Sequence, residues 1–394
     1  MYYSLLAFDS TGRAWQCPHV LPEINPSFFP DHQHVLVTGN LYELQRSWDL
    51  PIETPAAHSE MRRTIFDDVE VPPNATTKTE VTVAGRRRQV SVSANVARLS
   101  SCGCDFTFVN EPGKLSVEVI SGERLPPRFE MRIVEALQFV TARLIWWISC
   151  RTMIGRTETE RFRAPKKYSA TRLQPPIDQL HLDATGDVWT LFVKYLEFIA
   201  SCTDNAWHPL SSHLYSIIEG GFGSIDAEAR SVCAALEGIA KTLFPDYAYS
   251  APSLKAAVDS MCDHVSSWPG LSGWVPDELA SFRTRACRVL DGIRNPRAQD
   301  ILQKLIEAGA ITPEYKNAWT RLRHVVLHGK TFDDLQEMVT LTARVTVLTY
   351  QLVFKAIGYE GHYRDYGADG WHRKKYPSGE VVTEKGAVAP WPLS

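Results

Sequence analysis

The spacing of apolar residues changes once along this chain, from a period of two to a period between three and four. In the first part, short runs alternate apolar and polar positions: Tyr2–Phe8, His34–Tyr42, Glu80–Ala84, Gln89–Ala97, Asp105–Asn110 and Lys114–Ile120. Alternation of this kind predicts strands with one buried face. Glu111-Pro112-Gly113 joins the last two runs as a turn. Gly85-Arg86-Arg87-Arg88 reads as the tip of a hairpin between Glu80–Ala84 and Gln89–Ala97. Three cations at a tip serve either to touch nucleic-acid phosphate or to keep a strand edge solvated. Ile133, Leu137, Val140 and Leu144 then carry helical period and predict a helix over Arg128–Ile145, lying on the sheet. Trp146–Ile154 and Thr159–Arg163 return as strands.

The segment Arg163–Gly186 has a mixed basic, proline and polar composition without period, which marks a boundary. Beyond it the pattern is helical throughout: Asp187–Cys202, Leu210–Glu219, a helix capped by Ser224 with Val232, Leu236, Ile239 and Leu243 as its stripe, then Pro252–Trp268, Asp277–Ile293 and Ala298–Ala308. A long last helix over Asp333–Ala356 follows a shorter one beginning at Thr312. Short connections between these helices predict an antiparallel bundle. The expected fold class is α+β: a β-rich, sandwich-like domain over 1–165, a linker over 166–186, an all-α domain over 187–358, and an extension over 359–394.

The helix opening at Thr312 carries the strongest candidate chemistry. Thr312 suits a cap, Pro313 the first helical position and Gly329 the exit. Tyr315, Ala318, Trp319, Leu322, Val325 and Val326 form one stripe, while Arg321, His324 and His328 share another face, with Arg323 beside it. Basic residues also gather at helix C-termini because of the dipole, so Arg323 and His328 fit as end charges too. Lys330 follows immediately.

Composition changes this picture little. With 394 residues, 44% hydrophobic and 22% charged, the chain is an ordinary globular protein of more than one domain. A net charge of −3 means that any nucleic-acid surface is local. The eight cysteines sit mostly singly in apolar patterns, which suits reduced thiols and a cytoplasmic location. No basic secretory start is visible. The longest apolar stretches, Ala136–Cys150 and Val339–Tyr359, are interrupted by Arg143 and by Arg344 and Lys355, so they read as core and no membrane is expected. Cys102-Gly103-Cys104 and the group Cys17, His19, His32 and His34 fit no standard zinc spacing, so neither metal nor cofactor is expected.

The run Arg323-His324-Val325-Val326-Leu327-His328-Gly329 resembles the R-x4-H signature of the HEPN superfamily, in which an arginine, a polar residue and a histidine close a late helix of a helical bundle. Asparagine is the most frequent residue after the arginine; His324 stands there in this chain. Ala234–Lys241 is similar to an early helix of such bundles, which carries an acidic or polar residue facing the motif, and Glu237 matches it. The resemblance spans about residues 190–358, and its specific part is the seven-residue motif. It implies a metal-independent endoribonuclease, commonly a homodimer through the HEPN domain, of the kind found in bacterial toxins and anti-phage, abortive-infection effectors. Arg323, His324 and His328 would be catalytic and Glu237 supporting, with a phage-derived trigger or inhibitory partner acting through the N-terminal domain. A non-catalytic module that binds RNA, nucleotide or a protein partner is the alternative.

The chemistry fits the residues. RNA carries its own nucleophile, the 2′-hydroxyl, and histidine can take or give the protons its attack requires. A guanidinium supplies forked donors to the transition-state phosphate. Arg321 and Lys330 could add contacts to RNA. So could Arg373, Lys374 and Lys375, in a C-terminal stretch where Tyr363, Tyr366, Trp371 and Tyr376 alternate with cations. The same stretch also reads as a hairpin packed on the bundle, with Tyr366 and Trp371 buried.

Overall fold

The computed structural model describes residues 3–8, 13–24, 37–41, 43–50, 57–83, 86–93, 95–164, 173–178, 184–202, 207–247, 252–294, 297–327, 332 and 334–381. A β-sheet region is followed by a helical region, and the chain divides into two compact units, Met1–His208 and Pro209–Ser394. The division differs from the expected 166–186 boundary by one helix.

The first unit contains β1 (Tyr3–Phe8), β2 (Ala14–Ile24), β3 (Val37–Leu41), β4 (Glu43–Asp49), β5 (Ala57–Asp67), β6 (Thr76–Val83), β7 (Arg86–Ser93), β8 (Val96–Ser101), β9 (Cys104–Glu111) and β10 (Lys114–Ser121). It continues with α1 (Phe129–Thr141), β11 (Trp147–Gly155), β12 (Thr157–Arg163) and α2 (Thr185–Ala200). Ten strands join one antiparallel sheet in the order β1-β2-β4-β12-β11-β5-β10-β9-β8, with β3 paired to β2. Helices α1 and α2 pack on this sheet, and β6 and β7 form a separate two-stranded sheet. Phe106 of β9 meets Phe129 of α1 and Phe192 of α2, and Phe108 meets Trp189 of α2. Burial of these aromatics is what ties α2 to the sheet.

Local chemistry sets the turns. Cys102 (φ 52°) and Gly103 (φ 70°) form the two-residue turn between β8 and β9, which accounts for the Cys-Gly-Cys spacing. Pro112 and Gly113 (φ 70°) turn β9 into β10. The expected basic tip is displaced: β6 and β7 pair Val83 with Arg86, so Arg86, Arg87 and Arg88 open a strand. Helix α1 ends earlier than its pattern, because Ala142 takes a left-handed φ of 52°.

The second unit contains α3 (Pro209–Gly220), α4 (Ile225–Leu243), α5 (Pro252–Ser267), α6 (Pro276–Arg294), α7 (Ala298–Glu307), α8 (Pro313–Leu327) and α9 (Leu335–Ile357), then the hairpin of β13 (Gly361–Arg364) and β14 (Arg373–Tyr376). The Ser224 side chain accepts the Ala227 N–H at 3.2 Å and caps α4. Helix α4 packs on α3, α7, α8 and α9, and α9 on α8. Val345, Leu348, Leu352, Val353 and Phe354 of α9 are fully buried and form the spine of the bundle.

The C-terminal hairpin packs on this bundle through residues other than the two expected. Tyr363 and Tyr376 are buried against Phe354, while Tyr366 is half-buried and Trp371 exposed. Among the described residues no helix is long and apolar enough to cross a membrane.

Candidate site at the end of α8

Helix α8 buries Tyr315, Ala318, Trp319, Leu322 and Val326, with Val325 half-buried, so five of the six stripe positions lie in the core. The stripe fixes the rotation of the helix and leaves Arg321 and His324 on its exposed side. Arg323 falls between the two faces. Its guanidinium carbon lies 5.7 Å from the Trp319 ring centroid, one turn back, within cation–π range. Gln351 of α9 anchors the start of α8: its Oε1 accepts the Thr312 N–H at 3.0 Å, and its Nε2 donates to Thr312 Oγ1 at 2.9 Å.

Glu237 of α4 meets Arg323. The Arg323 Nε donates to Glu237 Oε2 at 3.3 Å, and Lys241 Nζ donates to Glu237 Oε1 at 2.8 Å. The carboxylate is therefore held between two cations. Burial alone would raise its pKa, but Lys241 first and then Arg323 outweigh that effect and hold it below the ordinary carboxylate value. The Arg323 side chain keeps 42% of its surface exposed, so it remains accessible from solvent while it is anchored.

One turn before Glu237, Cys233 is buried, and burial pushes its thiol up to about 12, with Arg323 opposing and Glu237 adding to the rise. It is a protonated thiol at neutral pH and not a nucleophile. Gly238, beside Glu237, lies under the His213 ring of α3; a Cβ there would meet His213 Cε1 at 2.3 Å. Burial lowers the His213 pKa.

The remaining sequence candidates separate. Arg321 pairs with Glu337 of α9 and keeps 64% of its side chain exposed. His328 and Lys330 lie outside the described residues, as does Gly329. Lys374 Nζ sits 2.6 Å from Oδ2 of the fully buried Asp365, whose Oδ1 accepts from Tyr315 Oη at 2.5 Å. Arg373 contacts the His362 ring at 3.2 Å, and Lys375 is exposed. Among the described residues no group of three or more His, Cys, Asp or Glu is arranged to hold a metal ion.

Of the residues the sequence singles out, the structure brings Arg323 and Glu237 together; Lys241 and Trp319, which join them, were not named as part of the site. Both were legible in principle. Lys241 stands four residues after Glu237 on one helix, and Trp319 four before Arg323 on another, the spacing at which helical side chains meet. Comparison with protein-family models, with curated proteins and with solved structures finds no match.

Proposed function

We propose that the second unit is a metal-independent HEPN-type endoribonuclease, with its active site at the end of α8. The observation that carries this reading is the state of Arg323: oriented by Glu237 and Trp319, yet 42% exposed beside His324 in the last turn of its helix. With the guanidinium held at Nε by Glu237 and 42% of the side chain exposed, the arrangement suits a group that receives a phosphate. The motif Arg323-His324-x3-His328 supplies the rest of the argument.

In the proposed reaction the RNA 2′-oxygen forms a bond to the adjacent phosphorus while the bond from phosphorus to the 5′-oxygen breaks. One histidine takes the 2′-hydroxyl proton and a second acid returns a proton to the leaving 5′-oxygen. His328 is assigned to proton transfer, and His324 to orientation or the second proton. Arg323 donates to the non-bridging phosphate oxygens, where negative charge builds. The products are a 2′,3′-cyclic phosphate and a 5′-hydroxyl. A homodimer would bring two copies of the motif together and supply both acid and base. A role as a cytoplasmic anti-phage, abortive-infection or toxin effector, released by a phage-derived trigger or by loss of an inhibitory partner, follows from the HEPN resemblance.

A second reading is a non-catalytic HEPN-like module that binds RNA, nucleotide or a protein. The Glu237 ion pair favours it, because a carboxylate already offsets the charge of Arg323. RNA cleavage by the purified chain in EDTA separates the two, with Arg323→Ala and His328→Ala alongside and checked by circular dichroism. Cleavage by the wild type alone, leaving cyclic phosphate ends, supports the nuclease. A requirement for divalent metal, or 5′-phosphate ends, would sink the mechanism.

A further inference from the structure

We propose that the exposed face of α4 is the track along which a single strand of RNA reaches Arg323, with Arg230 and Lys241 on its phosphates and the His213 ring under one of its bases. The inference rests on the reading of α8 as an RNA site and extends that site to two residues outside α8, Arg230 and His213.

Arg230, Ala234, Glu237 and Lys241 recur at intervals of four, three and four, so they share one face of α4. Arg230, Ala234 and Lys241 are exposed, whereas Val232, Leu236 and Ile239, on the opposite side, are fully buried. Ala234 and Gly238 give the exposed face a low floor, since neither carries a side chain beyond Cβ. From Arg230 to Lys241 the strip runs about 16 Å at ~1.5 Å per residue, room for a few nucleotides. Arg323 stands beside its middle, joined to Glu237 at 3.3 Å.

The charge on this strip suits a phosphate backbone. Arg230, Lys241 and Arg323 face one carboxylate, Glu237, which Lys241 and Arg323 already hold. Asp226, one turn before Arg230, ends the basic stretch. In a chain of net charge −3, a local surplus of cations is what RNA requires.

His213 of α3 borders the strip at Gly238. A Cβ added to Gly238 would fall closest to Cε1, with Nε2 at 2.7 Å and Nδ1 at 2.8 Å. Near-equal, short distances to both nitrogens place that Cβ above the ring plane; an edge-on approach to Cε1 would leave the nitrogens distinctly further away. The imidazole therefore lies flat on the glycine and turns its other face away from α4. The residue is only half-buried, and burial lowers its pKa, so near neutral pH it offers an aromatic face rather than a charge. Stacking on such a face needs a base that is free of its own helix, which selects a single strand over a duplex.

Fluorescence anisotropy of the full chain with a short labelled RNA carrying 2′-O-methyl groups tests this, because that strand can bind but has no free nucleophile. The wild type is expected to bind the single strand and to prefer it to a duplex of the same length. Between about 50 and 200 mM salt, Arg230→Ala should reduce the slope of log affinity against log salt by about 0.7, one phosphate contact. His213→Ala should weaken binding about tenfold without changing that slope, and His213→Phe should bind as the wild type does. Circular dichroism checks the fold of each variant. A wild type that does not bind the single strand, or binds the duplex more tightly, overturns the proposal. So does an unchanged slope in Arg230→Ala, or a folded His213→Ala that binds as the wild type does. Loss of affinity in His213→Phe overturns the stacking contact even where His213→Ala does not fold. Cleavage of an unmodified strand is read separately. Binding through the track without cleavage sinks the nuclease and keeps the track, and cleavage indifferent to Arg230 and His213 does the reverse.

Discussion

Glu237 on α4 and Arg323 on α8 meet at 3.3 Å, and the same carboxylate holds Lys241 at 2.8 Å. Glu237 thus holds the guanidinium at Nε while 42% of the Arg323 side chain stays exposed. In the proposed nuclease, Arg323→Ala removes a donor to the transition state and is expected to lower kcat/KM by about 10²–10³. Arg323→Lys keeps the charge but loses the fork, and should recover little of that loss. Glu237→Gln acts only through orientation, so a fall of roughly tenfold, chiefly in kcat, is expected. Single-turnover cleavage of a model RNA measures all three. Equal loss for Glu237→Gln and Arg323→Ala would mean that Glu237 itself reacts.

In the first unit, Glu130 of α1 is fully buried and accepts from Arg62 of β5 at 2.6 Å, while Arg161 of β12 lies 2.7 Å from its other oxygen. Arg62 also pairs with buried Glu60 at 2.7 Å. Glu130→Ala leaves two guanidinium groups in the core short of a partner and is expected to cost about 3–5 kcal/mol. The midpoint of urea unfolding reads this directly. A change below about 1 kcal/mol would mean that water replaces the carboxylate easily.

The same network explains where the sequence was silent. The runs around β9 and β10 were legible because Phe106, Phe108, Leu115, Val117 and Val119 bury one side of alternating strands. Strand β5 was not. Its buried positions include Glu60, Arg62 and Thr64, so the apolar alternation is inverted and compensated by ion pairs from elsewhere in the chain. Sheet order, with β5 between β10 and β11, follows from long-range pairing that no local pattern encodes. Helix α8 was legible almost to the residue because its stripe, its Pro313 start and its charges agree. The partner of Arg323 was reached through the family resemblance, since any amphipathic helix offers a glutamate at some angle.

Asp365 is the buried hub of the C-terminal hairpin. It takes Tyr315 Oη at 2.5 Å and the Gly367 N–H at 3.1 Å on one oxygen, and the Lys374 ammonium at 2.6 Å on the other. Burial, and then the bond to Asp365, raise the Tyr315 pKa well above its ordinary value, so the phenol stays a donor at every relevant pH. Asp365→Ala should cost about 3–5 kcal/mol, because it strands Lys374, whereas Tyr315→Phe should cost about 1–2 kcal/mol. Lys374→Met should destabilise as well, so loss of RNA affinity in that variant would not by itself report an RNA contact. Lys375, which is exposed, is the cleaner probe. Equilibrium denaturation of the three variants ranks them. Equal costs for Asp365→Ala and Tyr315→Phe would contradict the hub.

His208, at the end of the first unit, gives that unit an acid-sensitive element. Burial first, and the nearby Arg132 charge second, lower its pKa from 6.5 to about 4. The ring stacks edge-on to Phe198 with centroids 5.3 Å apart. Above pH 6.5 both folded and unfolded chains carry it neutral, and its contribution is complete. Between 6.5 and about 4 the unfolded chain binds a proton that the folded chain refuses, so stability falls as pH falls. Below that window no further loss comes from this residue. The ring is half-buried, which reduces the expected loss to on the order of 1 kcal/mol. His208→Gln should flatten the corresponding part of the curve when urea midpoints are compared across the window. Parallel curves for wild type and variant would show that the imidazole is protonated in the folded chain.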